Sequence, residues 1–375
     1  MAKTVFVGLS GGVDSAVSSA LLKERGFNVV GVFIKIWQPE FIECTWAADR
    51  IDAMRAAVAI GIPFREIDLS SDYKKTVVEQ MIEGYAKGIT PNPDVLCNRS
   101  IKFGSFLDWA EQEGADHIAT GHYARIEKMD GGYALLRGKD KEKDQSYFLH
   151  LLGQQDLARA IFPVGGLLKS EVRAHARRLR LPVAEKPDSQ GLCFVGDVSM
   201  KDFLSRFIRL SKGAVLDGNG VVIGEHEGAA LYTTGQRHGF SITAKDREKR
   251  PYYVIEVSAK DNVIRVSPDI NDAASGKVVL SDVNWVSGKP RMPKEVHVQA
   301  RYREVPFKAT VDGSGNDLIV SFQEPHIASP GQSIVFYDGE RCLGGGVIIK
   351  VPRGKPRGIV GARFARTVSQ QAARY

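Results

Sequence analysis

A short apolar run, residues 4–9, leads directly into the string Ser10-Gly-Gly-Val-Asp-Ser15. The run suits a buried strand, and residues 15–25 behind it place Ala16, Val17, Ala20 and Leu21 on one helical face before Gly26 ends the pattern. A strand turning through paired glycines into a helix is the opening of a parallel α/β layer. The glycines let the backbone approach a ligand and expose successive N–H groups, and the helix start adds partial positive charge, so the turn suits a phosphate chain. It lacks the Gly-Lys-Ser/Thr ending of a Walker A loop and is no GxGxxG fingerprint. Asp14 is a poor direct neighbour for phosphate unless a cation bridges the two, as magnesium does. By itself the segment could also be a structural turn.

Strand and helix continue to alternate: strands at 29–34, 64–68 and 117–120, and helices at 47–60, 72–86 and 103–112. The expected first domain is therefore α/β, a doubly wound parallel sheet with its site beyond the carboxyl ends of the strands. Helical patterns at 170–180 and 200–210 follow. The texture then changes to short strands at 214–216, 221–223, 252–257, 263–266, 277–280, 295–302, 318–322, 333–337 and 346–350, with Asp217-Gly-Asn-Gly220 as a hairpin turn. This predicts a catalytic domain over 1–208, a small central β-rich domain over 209–274, a C-terminal β-barrel over 275–351 and a flexible basic tail over 352–375.

Charge points to a polyanionic partner, but unevenly. The net charge is +7, and Arg353, Lys355, Arg357, Arg363, Arg366 and Arg374 face no acidic residue after Val351. The remainder is nearly neutral, apart from a basic stretch over 168–180 that is either an RNA patch or a solvated helix face. No apolar run is long enough to span a bilayer, and the first residues lack a signal peptide's layout, so a cytoplasmic protein without membrane attachment is expected.

The four cysteines, Cys44, Cys97, Cys193 and Cys342, form no CxxC pair, which argues against a resident zinc site. Each reads as a buried, inert thiol unless its surroundings say otherwise. Two have such surroundings. Cys97 follows the proline-stiffened Thr90-Pro-Asn-Pro-Asp94, with Arg99 and Lys102 beyond it and a helix expected to begin near Asn98. Those features favour thiolate, and Asp94 is a candidate proton handler. Cys193 sits between Gly191 and Gly196.

The string SGGVDS resembles the pyrophosphate loop of the ATP pyrophosphatases, which alone does not separate ligases, amidotransferases and thiolases. With TPNPDVLCN (90–98), ATGHYAR (119–125), KDQSYFL (143–149), DSQGLCF (188–194) and YTTGQRHG (232–239) in order, the chain resembles the tRNA-specific 2-thiouridylase family from about Lys3 to Lys350. Ala16 and Ser100 depart from the usual pattern without removing a reacting group. The resemblance implies ATP on Gly8, Leu9, Ser10, Gly11, Gly12, Val13, Asp14 and Ser15, with Ile34 and Gly121 near the nucleotide and magnesium present only transiently. It implies that Cys193 carries a persulfide from a cysteine desulfurase or sulfur-relay protein, that its terminal sulfur reaches carbon 2 directly or as released hydrosulfide, and that Cys97 then forms a transient disulfide with Cys193. It further implies contacts of Asn92, Pro93 and Asp94 with the target base. Contacts of Lys143, Asp144, Gln145, Arg301 and Tyr302 with the tRNA anticodon stem-loop follow, with His122 and Gln332 defining specificity. The implied product is 2-thiouridine at the wobble position of lysine, glutamate and glutamine tRNAs. The competing readings are another pyrophosphate-loop ligase or amidotransferase, which needs neither cysteine, and a non-enzymatic RNA-binding module.

Overall fold

The structure is a computed structural model that describes residues 2–42, 46–188, 198–243, 250–313 and 317–352. Its first layer is a parallel sheet of β1 (Thr4–Gly8), β2 (Asn28–Lys35), β3 (Phe64–Asp68), β4 (His117–Ala119) and, after a hairpin, β7 (Ala160–Ile161). The order is β3-β2-β1-β4-β7, so the chain reverses its direction of travel between β1 and β4. Such a switch point opens a crevice at the carboxyl ends of the two strands. Helix α1 (Val13–Glu24) buries Val13, Ala16, Val17, Ala20 and Leu21, the face its spacing predicts. Helix α2 (Trp46–Ile60) ends at Gly61 in a left-handed conformation.

The hairpin is β5 (Ala124–Met129) and β6 (Gly132–Arg137), turning at Asp130-Gly131. It leaves the parallel layer and joins a different sheet. A central five-stranded sheet follows, ordered β10-β9-β8-β12-β11, from β8 (Gly213–Leu216), β9 (Val222–His226), β10 (Phe240–Ile242), β11 (Tyr253–Ser258) and β12 (Val263–Ser267). The Asp217 hairpin forms as expected, its Oδ1 accepting from the N–H groups of Asn219 and Val221.

The last part is an antiparallel barrel of β13 (Ala274–Trp285), β14 (Lys294–Gln299), β15 (Phe307–Asp312), β16 (Leu318–Ile327), β17 (Ser333–Asp338) and β18 (Arg341–Lys350), closed by the pairing of β13 with β18. Val278, Leu280, Val298, Val311, Val320, Ile334 and Phe336 fill its interior. Strand β6 hydrogen-bonds to the outer end of β18, with Leu136 opposite Arg341 and Leu135 opposite Cys342. One apolar cluster therefore runs from Phe6 and Phe106 of the first layer through Leu135, Tyr147 and Leu149 to Val335, Tyr337 and Cys342 of the barrel. No helix among the described residues is long and apolar enough to cross a membrane.

Candidate active site

The Gly8–Ser15 turn lies at the switch point. Gly8 ends β1, buried Leu9 donates its N–H to the Val32 carbonyl (2.7 Å), and Gly12 caps α1 with extended backbone and no side-chain cap. Ser15 Oγ ties the turn to itself, donating to the Gly12 carbonyl (3.1 Å) and accepting from Ser10 N–H (3.2 Å). Gly11 has φ of +75°, and a Cβ there would lie 2.3 Å from the Asp49 carbonyl oxygen. Across the crevice, a Cβ on Gly121 would lie 2.8 Å from Ser15 N, so β4 delivers its own backbone against the turn. Ile34, from β2, stands 3.6 Å from where a Gly8 Cβ would be. The structure thus gathers the turn, Ile34 and Gly121 at one point, and an uncapped helix start there suits phosphate oxygens.

Charges that the sequence reading passed over surround Asp14. Lys169 Nζ lies 2.8 Å from both Asp14 carboxylate oxygens, and Tyr123 hydroxyl donates to Oδ1 (2.8 Å). Lys169 also pairs with Asp188 (2.8 Å), which Arg173 and Lys143 reach at the same distance. Burial would push the Asp188 carboxyl up, but hydrogen bonds from Lys143 and Lys169 outweigh it and hold it well below the usual range. Burial, then the Asp14 charge, push the Tyr123 phenol far up, so it stays a donor. The oxygens of Asp14 are the hard donors that magnesium takes, and the Lys169 ammonium holds both of them here. Among the described residues no group of three or more metal-ligating side chains forms.

These contacts divide the basic stretch over 168–180. Lys169 and Arg173 turn inward to Asp14 and Asp188, Arg177 pairs with Glu185 and Arg178 with Glu24. One face of the helix Lys169–Arg178 therefore turns to the Gly8–Ser15 turn, while Arg177 and Arg178 stay on the solvated side.

The Cys97 segment also differs from expectation. Its helix starts at Pro93, five residues before Asn98, with Asn92 as N-cap accepting from Val95 N–H (3.3 Å), proline in the first turn and Asp94 beside it. Cys97 is therefore more than one turn inside the helix, where the dipole of the helix start has weakened. The helix continues through a wide π turn, Asn98–Ser105. The Cys97 thiol is half-buried. Asp94 is exposed to solvent on one side and surrounded by protein atoms on the other. That crowding pushes its carboxyl up, against the pull of Lys102. Lys102 Nζ also lies 3.4 Å from His122 Nε2, and His122 Nδ1 is 2.6 Å from Thr120 Oγ1. Burial, then Lys102, keep His122 neutral. Since His122 follows Gly121, Lys102 joins the Cys97 helix to the phosphate turn. Cys193 and Cys44 lie outside the described residues. Cys342 is fully buried on β18, its thiol pushed up to about 12 by burial.

Three family models tile the chain: a tRNA methyl transferase HUP domain over residues 3–197, a tRNA methyl transferase PRC-barrel domain over 201–268 and an aminomethyltransferase β-barrel domain over 275–348. The tRNA-specific 2-thiouridylase MnmA of Paracidovorax citrulli is 44% identical over 360 residues, 92% of this chain and 95% of that protein. Those of Enterococcus faecalis and Pasteurella multocida are 42% and 43% identical, again over 92% of this chain and over 94% and 93% of theirs. The chain belongs to the tRNA-specific 2-thiouridylase family. The domain models carry methyl-transfer names, and the full-length relatives carry the thiolation name; likeness along the whole chain decides between them.

Several residues that the thiouridylase resemblance assigns to RNA are engaged within the protein. Asp144 is buried, paired with Arg137 Nε at 2.6 Å and accepting from the N–H groups of Gly138 and Ser146. Gln145 Oε1 accepts from Tyr123 N–H (3.0 Å), and Lys143 is held by Asp188. Arg301 donates to the Thr234 carbonyl (3.1 Å), and the Tyr302 ring packs on Phe148 at 4.4 Å between centroids. Gln332 donates to the Thr90 carbonyl (2.8 Å), and buried His122 lies between Phe103 and Phe162. Pro93 shares the first helical turn with Asp94.

Proposed function

We propose that this protein is an ATP-dependent tRNA-uridine 2-sulfurtransferase acting on the wobble uridine of lysine, glutamate and glutamine tRNAs in the cytoplasm. One observation carries the reading: Lys102 spans from beside Asp94 to His122, next to Gly121, and so sets the cysteine helix against the phosphate turn. A ligase of another kind would not need a thiol at that place.

In this reading the O2 atom of the uridine attacks the α phosphorus of ATP, and pyrophosphate leaves. The N–H groups of the Gly8–Ser15 turn and the Lys169 ammonium stabilise the phosphates. Asp14 is the carboxylate that would hold magnesium brought with ATP, and such a cation would supply further neutralisation of phosphate charge. The outer sulfur of a persulfide on Cys193, received from a donor protein, attacks carbon 2. The Cys97 thiolate then attacks the inner sulfur, forming a Cys97–Cys193 disulfide and leaving sulfur on the base. The tetrahedral adduct expels AMP with the former O2, and a dithiol reductant restores both cysteines. Asp94, its carboxyl pushed above the usual range by burial against the pull of Lys102, moves the proton. The uridine leaves its stack to reach this cleft.

The test combines full-length protein, tRNA, ATP, a protein persulfide donor and a dithiol. Release of AMP and pyrophosphate should depend on tRNA, and nucleoside mass spectrometry should find 2-thiouridine at the wobble position. Pyrophosphate release without sulfur incorporation would refute the reading in favour of a different adenylating ligase.

A further inference from the structure

The segment that feeds the Asn92 cap is held by parts of the chain far away in sequence. Thr90 N–H donates to the Pro330 carbonyl (3.0 Å), and the Thr90 carbonyl accepts from Gln332 Nε2 (2.8 Å). Thr90 Oγ1 lies 2.7 Å from Thr233 Oγ1 of the central domain. A Cβ on Gly331 would lie 2.3 Å from an Ile89 methyl, and one on Gly88 would lie 2.9 Å from Ala259 Cβ. Both positions need glycine because the three parts meet at backbone distance. The 233–236 turn is itself anchored on the barrel, where Arg301 and Ser329 donate to the Thr234 carbonyl. All three backbone and side-chain polar groups of Thr90 are thus bound by other domains, two residues before the cap that orients Asp94 and Cys97.

We propose that Thr233 is a positioning residue for the chemistry at Asp94 and Cys97. Its hydroxyl locks Thr90, so the Cys97 helix keeps its place only while the central domain and barrel are docked on the first domain. This gives the YTTGQ part of the 232–239 motif a task that contact with RNA does not supply. The proposal rests on the sulfurtransferase reading for its rate effect, but not for its effect on Cys97.

Two measurements on Thr233→Val, Thr233→Ser and Thr90→Val/Thr233→Val test it. The first is single-turnover thiolation at saturating tRNA and ATP. Thr233→Val should be about tenfold slower, the scale expected for one lost hydrogen bond that misplaces a reacting group. Its tRNA and ATP dissociation constants should stay within about twofold. Thr233→Ser should restore the rate, and the double variant should be no slower than Thr233→Val, because both changes remove one bond. The second is the alkylation rate of Cys97 by iodoacetamide in tRNA-free protein, mapped by peptide mass spectrometry. It should change severalfold in Thr233→Val and return to the wild-type value in Thr233→Ser. An unchanged alkylation rate overturns the proposal, as does a thiolation defect that vanishes at saturating tRNA. If wild-type protein alkylates as described but never thiolates tRNA, the sulfurtransferase reading falls and the clasp stands.

Discussion

Lys169 is the side chain whose role the structure changes most. Its ammonium is shared between Asp14 and Asp188, and no spacing rule connects positions 155 residues apart. We expect Lys169→Met to lower tRNA-dependent pyrophosphate release about a hundredfold, as loss of one preorganised donor at developing charge does. Lys169→Arg should recover part of it, with tRNA affinity unchanged in both. Full release by Lys169→Met would remove Lys169 from the phosphate chemistry. His150 gives a different kind of prediction. It is fully buried beside Tyr147, whose carbonyl accepts from Nδ1 (2.8 Å). Burial lowers its pKa from 6.5 to about 4, against the pull of that hydrogen bond. The unfolded chain therefore binds this proton first as pH falls, so stability is full above about 6.5 and drops as pH falls toward 4. The gap corresponds to about 3 kcal/mol. Denaturant titrations should show that slope, and His150→Leu should flatten it; an equal slope in the variant would place the proton uptake elsewhere.

Among the elements, the turn ahead of Cys97 separates stability from chemistry. Asn92→Ala removes the cap acceptor and should cost about 1 kcal/mol. Asn92→Asp keeps an acceptor oxygen and places a favourable charge at the helix start. We expect Asn92→Asp to melt no lower than wild type yet thiolate more slowly, because the amide would face the base. A normal rate would show Asn92 to be only a cap. Asn-Pro-Asp is a helix start, with a cap, a proline and an acid in the first turn, although two prolines so close together also suit a stiff loop. The phosphate turn and the parallel strands were legible because each is specified within about ten residues. The hairpin of β5 and β6 was missed altogether despite its Asp130-Gly131 turn, and its partner strand β18 lies some 200 residues on. The expected strand over 295–302 stops at Gln299, where Glu304 folds back to accept from Ala300 N–H (2.8 Å) and His326 (2.6 Å apart) holds its other oxygen. Only the folded barrel brings His326 there. At the site, the glycines and Cys97 announced themselves, whereas Tyr123, Lys169 and Asp188 acquire meaning only through Asp14.

At the scale of the whole molecule, the first domain is incomplete without the barrel. Tyr147 hydroxyl donates to the Ser333 carbonyl (3.0 Å), and Ser146 and Tyr337 hydroxyls lie 3.1 Å apart across the same buried seam. Residues 1–208 expressed alone should expose Leu135, Tyr147 and Leu149, bind a hydrophobic dye and unfold without a sharp transition. Cooperative melting of that fragment would show the seam to be dispensable. The basic tail makes a separate contribution: a chain ending at Pro352 should bind tRNA with a shallower dependence on salt than the full chain, and equal slopes would mean the tail does not touch RNA.

The loan of β5 and β6 to the barrel also bears on how such a gene can be rearranged. A crossover or engineered splice near residue 274, the apparent joint in the linear sequence, would leave β18 facing a foreign hairpin. It would pair the inherited Leu135 and Tyr147 with surfaces that never co-varied with them. The unit that can move intact is discontinuous, a piece of about thirty residues from the first domain together with the barrel. A chimera that keeps this seam intact must therefore be cut in three places, whereas a single crossover exchanges the barrel without the hairpin it is paired with.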